Sequence, residues 1–125
     1  MKQLLIVFLG GGTGTVMRFL IGKLLPYSGK GFPWNTFYAN VIGCLLIGLL
    51  TGYLLRNANE NQSAFILFAS VGFCGGFTTF SSFANENLSF IRSGDYLMLL
   101  SYTLLSLVSG IVMVYLGILI EKHIQ

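Results

Sequence analysis

Four long apolar segments, separated by short polar breaks, make up most of this sequence. Their approximate bounds are 4–25, 34–55, 63–84 and 96–120. Each is long enough to cross the hydrocarbon core of a bilayer, which takes about 20 predominantly apolar residues in a helix. Because lipid offers no hydrogen-bond partners, each segment must pair its backbone groups internally, as a helix does. The sequence therefore predicts an all-α membrane protein with four transmembrane helices, forming a single transmembrane domain over residues 1–125.

The composition argues against a soluble domain. Charged residues make up 9% of the chain and hydrophobic residues 54%, whereas soluble domains usually carry about 25% charged residues. A chain this short cannot bury so much apolar surface within itself. The first segment follows Lys2, as a signal peptide would, but it continues past Arg18 to Leu25 without a clean cleavage site. We expect a span that is retained.

The basic residues are isolated and stand mostly near segment ends, which is typical of interfacial anchors and predicts no nucleic-acid partner. Four spans place both termini on one side of the membrane. Three basic residues fall on that side and three on the other: Lys2, Arg56 and Lys122 against Lys23, Lys30 and Arg92. The positive-inside rule then favours neither orientation. A chain without orientation bias can insert both ways and pair as an antiparallel, dual-topology homodimer.

Small residues recur at intervals of four along the segments, as at Gly10 and Gly14 or Gly72 and Gly76. This spacing is typical of membrane helices that pack closely, because lipid supplies no hydrophobic drive for helices to pair. The two cysteines, Cys44 and Cys74, both lie in apolar stretches. We expect them to be buried thiols rather than a disulfide or a zinc site.

The third segment contains the run GFCGGFTTFSSF at residues 72–83. Paired glycines weaken a helix, and the hydroxyls of Thr78, Thr79 and Ser82 can bond to freed backbone groups. We expect the helix to break mid-membrane within residues 75–79, where exposed carbonyls would suit a small hard cation. The alternative is an unbroken helix whose hydroxyls bond to the preceding turn.

Phe77, Phe80 and Phe83 recur every three residues in the same run. This spacing can serve aromatic packing alone. A phenyl ring also carries partial positive charge at its edge, so rings presented edge-on could coordinate an anion without a net charge. Both interpretations remain open from the residues themselves.

Two polar side chains stand inside the first two segments. Arg18 is expensive in lipid, so it either faces a wet vestibule or extends its long side chain to the interface. Asn40 offers two donors and one acceptor, so it either bonds between helices or provides a donor to an anion path. In the fourth segment Tyr102, Ser106 and Ser109 share a helical face. They form either a polar lane or contacts between helices.

Acidic residues are missing from the centres of the predicted spans, since Glu86 comes after the third one. An exporter of cationic drugs would need a membrane-embedded carboxylate. The only histidine, His123, stands at the tail, and no serine–histidine–aspartate group, metal cluster or carboxylate pair is visible. We therefore expect no enzyme activity.

The whole chain resembles the Fluc/CrcB family of bacterial fluoride channels. The resemblance rests on the glycine-rich run ending in Arg18, on Asn40 to Gly43, and above all on the run at 72–83 with Glu86. It implies a multi-pass protein of the bacterial inner (cytoplasmic) membrane that passively exports fluoride through two pores per antiparallel dimer. Fluoride, sodium, lipid and a second copy of the chain are the implied partners.

The resemblance also assigns roles to individual residues. It implies that Phe80 and Phe83 meet fluoride with their ring edges and that Asn40 is the pore amide donor. The other implied pore residues are Thr79, Ser82, Tyr102, Ser106 and Ser109. Arg18 would lie in the vestibule and Glu86 near the pore mouth. The carbonyls of Gly75 and Thr78 would hold a structural sodium ion at the dimer interface.

Two positions depart from the family pattern. The lane position four residues beyond Ser106 is Gly110, so Ser109 substitutes for it or the lane is shorter. Asn35 stands where a glycine is common. The alternative functions are a coupled exporter of the small multidrug resistance type and a structural subunit of a larger complex.

Overall fold

The computed structural model describes residues 1–56 and 63–124. Within them the chain forms helices and no strand, and four stretches are long and apolar enough to cross a membrane. These are α1 (Lys2–Leu24), α2 (Trp34–Arg56), a third span (Ser63–Ser93) and α6 (Tyr96–Ile124). The prediction of an all-helical protein with four candidate spans is confirmed. The polar break predicted at 57–61 lies outside the described residues.

The third span is composed of several pieces. Helix α3 (Ser63–Ile66) continues into a π-helical stretch (Leu67–Cys74) and a short α4 (Gly75–Phe77), and α5 (Phe80–Ser93) follows the break. Thr78 and Thr79 between them are extended, with φ −83°, ψ 158° and φ −148°, ψ 116°. The predicted break is confirmed, and the two threonines form it.

The paired glycines serve a different purpose from the one predicted. Gly75 and Gly76 are both helical, so they do not form the break. A Cβ added at Gly76 would collide with the carbonyl oxygen of Gly11, and one at Gly14 with that of Phe73. These glycines let α1 and the third span approach at backbone distance, as small residues do between membrane helices.

Helices α2 and α6 form a second close pair. A Cβ at Gly48 would collide with the carbonyl of Val114, and one at Gly117 would lie 2.6 Å from the carbonyl oxygen of Leu45. Contacts advance along both helices together, because Gly52 lies near Glu121 in the next turn. The second and fourth spans therefore run parallel, as spans two crossings apart must.

Helix α5 is longer than the sequence predicted. The third span was expected to end at residue 84 and a polar stretch to follow, but α5 continues to Ser93. Gly94 ends it in the left-handed conformation (φ 73°), with its N–H on the carbonyls of Ile91 and Phe90. The polar residues are compatible with this helix because Glu86 finds buried partners, while Ser89 donates to the Asn85 carbonyl of the preceding turn.

Candidate functional site

The broken backbone is held open by Asn40 of α2. Its amide nitrogen donates to the carbonyl oxygen of Thr79 at 3.1 Å, and its amide oxygen accepts from the Thr79 N–H at 2.8 Å. In a continuous helix the Thr79 N–H would bond to the Gly75 carbonyl four residues earlier. Since Asn40 takes that N–H, the carbonyl of Gly75 is released from its helical bond.

The helix ends on each side of the break are also capped. Arg18 donates through Nε to the carbonyl of Gly76 at 3.1 Å, which brings α1 to the end of α4. The carbonyl of Cys74 accepts from both the N–H and the hydroxyl of Thr78, at 3.0 and 2.9 Å. Thr79 caps α5, since its hydroxyl oxygen accepts from the N–H of Ser82 at 3.2 Å.

A cavity of about 470 Å³ lies beside the break, and we call it the pore cavity. No lining side chain is charged. The predicted site residues that line it are Asn40, Gly75, Thr78, Thr79, Phe80, Phe83 and Ser106. Four separate elements therefore bring uncharged donors and two phenyl rings to one space.

The two phenylalanines are held differently. Phe83 packs against Tyr102 with ring centroids 5.1 Å apart, whereas Phe80 is 80% exposed in the single chain. Their own centroids lie 5.9 Å apart with ring planes tilted by 40°. The two rings are tilted rather than stacked face to face, and both line the pore cavity.

A second cavity, of about 360 Å³, is lined by cations and polar groups. We call it the vestibule; its lining includes Arg18, Lys23, Asn35, Thr79 and Ser82. Thr79 lines the vestibule and the pore cavity, so the two spaces meet at the break. Arg18 lines this cavity and donates to the Gly76 carbonyl, an arrangement compatible with the vestibule interpretation.

Glu86 lies inside the third span rather than beyond it. It is buried in α5, where its two carboxylate oxygens accept from the Thr36 hydroxyl and the Tyr102 hydroxyl, each at 2.6 Å. The sequence analysis ended the third span at residue 84, before Glu86; the span includes Glu86 because α5 continues to Ser93. The prediction that no acidic residue lies at the centre of a span is unaffected. Thr36 was missed by the sequence analysis, because a threonine at a helix start carries no signal of such a partner.

The three residues predicted to form a polar lane on α6, Tyr102, Ser106 and Ser109, have different environments. Tyr102 is fully buried and bonded to Glu86, while the Ser106 hydroxyl is buried in the wall of the pore cavity and has no partner among the residues that the structure describes. Ser109 donates to the carbonyl of Leu105 in the preceding turn and does not line that cavity.

A second pair that the sequence analysis missed connects α5 and α6. Asn87 donates to the carbonyl of Phe83 at 3.1 Å and accepts from the Thr103 hydroxyl at 3.0 Å. The pair ties the backbone of Phe83 to α6. An asparagine four residues after a candidate pore residue is the only signal that the sequence offered.

Residues 5–118 match the protein family described as CrcB-like protein, Camphor Resistance (CrcB). The chain belongs to the CrcB family. It is 45% identical to a protein of Phocaeicola vulgatus named fluoride-specific ion channel FluC, over 94% of this chain and 97% of the relative. A protein of Gloeothece citriformis with the same name is 41% identical over 98% of this chain and 99% of its own length. The CrcB resemblance stated from the sequence is confirmed over nearly the whole chain.

Proposed function

We propose that this chain is a fluoride-selective ion channel that passively exports fluoride and so lowers its cytoplasmic concentration. Membership of the CrcB family and full-length relatives named fluoride-specific ion channel support this proposal over any other class. A passive channel needs no enzyme chemistry, and the relatives are named as channels rather than as enzymes.

One structural observation carries the proposal. The break in the third span places Phe80 and Phe83 around an uncharged cavity with Asn40 and Ser106. Fluoride holds its hydration water strongly, so a pore must replace that water with donors. Amide, hydroxyl and ring-edge donors can do so without a full positive charge, which would bind the ion too tightly for conduction.

The path that we propose begins in the vestibule. Arg18 and Lys23 raise the local anion concentration there, and the hydroxyls of Thr79 and Ser82 lead past the break into the pore cavity. Phe83 packs on Tyr102, whose hydroxyl bonds to Glu86. In this arrangement Glu86 stands near the pore mouth at the vestibule end, because its other partner, Thr36, also lines the vestibule. Ser109 borders the path farther along α6 without lining the pore cavity.

We also propose that the channel is an antiparallel homodimer with two pores, inserted in both orientations in the bacterial inner membrane. The balanced basic residues support it. So does the surface of the single chain, since an 80% exposed Phe80 at the edge of a functional cavity calls for a covering surface. Lipid covers the remaining apolar faces of the four spans.

A structural sodium ion at the dimer interface fits the same arrangement. Gly75 is exposed and its carbonyl is released by the bond between Asn40 and Thr79. Hard cations take several oxygen ligands, and the Gly75 and Thr78 carbonyls of one chain are only two. A second, symmetry-related copy would double that number, so these residues fit a shared site.

Fluoride efflux from liposomes containing the purified protein tests the proposed function. A fluoride electrode should record rapid fluoride release when a potassium ionophore balances the charge. A chloride electrode should record far less chloride release from chloride-loaded vesicles. Efflux no faster than from protein-free vesicles would contradict the channel.

The proposed orientation is tested by the sidedness of a terminal tag in intact cells. Dual insertion predicts that a membrane-impermeant reagent labels about half of the tags, and all of them after permeabilisation. Labelling of none or all of the tags in intact cells would contradict the antiparallel dimer.

A coupled drug exporter was the alternative, and the family assignment does not support it. The missing mid-span carboxylate also argues against it, because Glu86, although buried, lies toward the end of the third span rather than at its centre. A proton-gradient-driven drug uptake assay on the same liposomes separates the two, with uptake expected to be absent.

A further inference from the structure

Two cysteines line the pore cavity, and the proposed conduction path gives neither of them a role. Cys44 stands on α2, and Cys74 ends the π-helical stretch of the third span. Both thiols are free, with Cys74 buried and Cys44 half-buried. Thiolates are soft ligands that select soft metal ions, so two thiols on one cavity are a candidate metal site.

The packing of α2 against the third span places the two cysteines on facing walls. Consecutive spans cross the membrane in opposite directions, so positions farther along α2 meet earlier positions of the third span. Asn40 bonds to Thr79, and Cys44 follows one turn beyond Asn40. Cys74 precedes the break by about one turn, and α2 contacts the π-helical stretch directly. The two thiols therefore lie at a similar depth in the membrane.

The surroundings of the thiols leave room for an ion. The sulfur of Cys44 lies beside Gly110 of α6, where an added Cβ would be 3.4 Å from it. A Cβ added at Gly75, next to Cys74, would meet nothing within 4 Å. The departure from the family pattern at Gly110 thus keeps one side of the Cys44 thiol open, and the pore cavity of about 470 Å³ adjoins both cysteines.

A pair of thiols suits one class of metal ion. Copper(I) and silver(I) are soft, and both form linear complexes with two thiolates. Structural zinc takes four ligands. Among the residues that the structure describes, no three histidine, cysteine, aspartate or glutamate side chains come together. The cysteine pair is therefore too small a ligand set for zinc and sufficient for a soft monovalent cation.

We propose that Cys44 and Cys74 form a two-thiolate site for a soft monovalent cation, copper(I) or silver(I), and that its occupation stops conduction. Each thiol releases its proton as its sulfur bonds to the metal, so two protons leave and one positive charge enters. The complex then carries a single net negative charge, in a cavity whose lining is otherwise uncharged. That charge repels fluoride strongly where the dielectric is low. Only the effect on conduction rests on the proposed function; the metal site does not.

Silver ion is the probe, because silver fluoride is soluble and the efflux assay can be run without chloride. Purified wild type, Cys44→Ala, Cys74→Ala and the double variant are incubated with silver nitrate in detergent, freed of unbound silver by gel filtration and reconstituted. Each is compared with its own untreated sample, so differences in basal flux do not enter. We expect silver to remove most of the wild-type efflux. The single variants should keep most of theirs, because one thiolate holds the ion far less tightly than two.

A second readout does not depend on fluoride. Elemental analysis after gel filtration should find a single silver ion per wild-type chain and far less in each single variant. Cys44→Ser and Cys74→Ser, which replace sulfur by a hard oxygen, take their place if an alanine variant loses its monodisperse peak.

Three results would overturn the inference. They are wild type without bound silver, a single variant that retains as much silver as wild type, and silver-loaded wild type with undiminished efflux. Wild type that retains silver through both cysteines but passes no fluoride before treatment would contradict the proposed function and support the metal site.

Discussion

At the residue scale, Asn40 shows that the two roles which the sequence left as alternatives are compatible. Its oxygen and one N–H pair with the backbone of Thr79, which is the interhelical bond. A primary amide has a second N–H, and Asn40 also lines the pore cavity. Structural and ion-binding roles are therefore compatible in one side chain, and separating them requires a variant that keeps the fold.

The variant Asn40→Ala should be both less stable and inactive. It leaves the N–H and the carbonyl of Thr79 without partners, and each unpaired buried group costs about 1–3 kcal/mol. We expect a lower melting temperature in detergent and loss of fluoride efflux. The control is Asn85→Ala on the exposed side of α5, which should match wild type. A stable, conducting Asn40→Ala protein would show that α2 does not hold the break.

The variants Phe80→Ile and Phe83→Ile should lose conduction but, unlike Asn40→Ala, keep the fold. Isoleucine retains most of the bulk of the side chain and removes the ring edge. We expect each to reduce fluoride efflux by about tenfold or more, which corresponds to at least 1.4 kcal/mol of lost stabilisation. Gel-filtration elution should not change. Phe8→Ile on exposed α1 is the control, because Phe8 is 76% exposed. Wild-type flux in either pore variant would remove that ring from the mechanism.

Asn40 attracted attention as a polar residue inside a membrane span, whereas the resemblance to the CrcB family singled out Phe80, Phe83 and Ser106. All four were expected in the pore, and the structure brings them to one cavity. Sequence reasoning missed Thr36 and Asn87, because an ordinary polar residue becomes informative only when the fold gives it a partner. The contact between Thr36 and Glu86 spans 50 residues along the chain, and no local pattern encodes such a distance.

At the scale of elements, the position of the break in the third span could be predicted from the residues, but its cause could not. The sequence located its interruption within residues 75–79, and the structure confirms it at Thr78 and Thr79. The physical cause differs from the one predicted. The small size of Gly76 serves the contact with α1, and the break depends on an acceptor on α2 that competes for the Thr79 N–H. The length of α5 was missed because its polar residues obscure an otherwise helical segment.

The variant Gly76→Ala tests whether Gly76 is needed for the packing of α1 on the third span rather than for the break in that span. An added methyl collides with the Gly11 carbonyl, and overpacking of this kind costs about 1–3 kcal/mol. We expect a lower melting temperature, measured by loss of the monodisperse gel-filtration peak on heating. Gly12→Ala is the matched control, because nothing lies within 4 Å of a Cβ there. Equal stability of the two variants would contradict close packing of α1 on the third span.

At the scale of the whole molecule, one chain leaves its functional surface uncovered. Phe80 is largely exposed, and a Cβ added at Gly75 would meet nothing within 4 Å. Within the single chain Phe80 has a ring contact with Phe83 but most of its surface is exposed, and the space beside Gly75 is open. Both border the pore cavity, so the face that contains them is where a second copy of the chain is expected.

Gly75→Leu tests this face directly. Within one chain the leucine side chain has open space, so the fold of the protomer should be unchanged. Between two copies it should prevent close approach, and we expect monomers by light scattering in detergent together with loss of efflux. Gly12→Leu, at another open glycine on α1, should remain dimeric. A dimeric, conducting Gly75→Leu protein would contradict an interface at this face.

The bond between Asn40 and Thr79 also bears on biogenesis. A third span released alone into the bilayer has no acceptor to divert the Thr79 N–H from Gly75, so it would first be a single rod. Its 31 residues would measure about 46 Å as an α-helix, well beyond a hydrocarbon core of about 30 Å. We expect such a rod to tilt in the bilayer until it docks on α2 and the bond to Asn40 bends it.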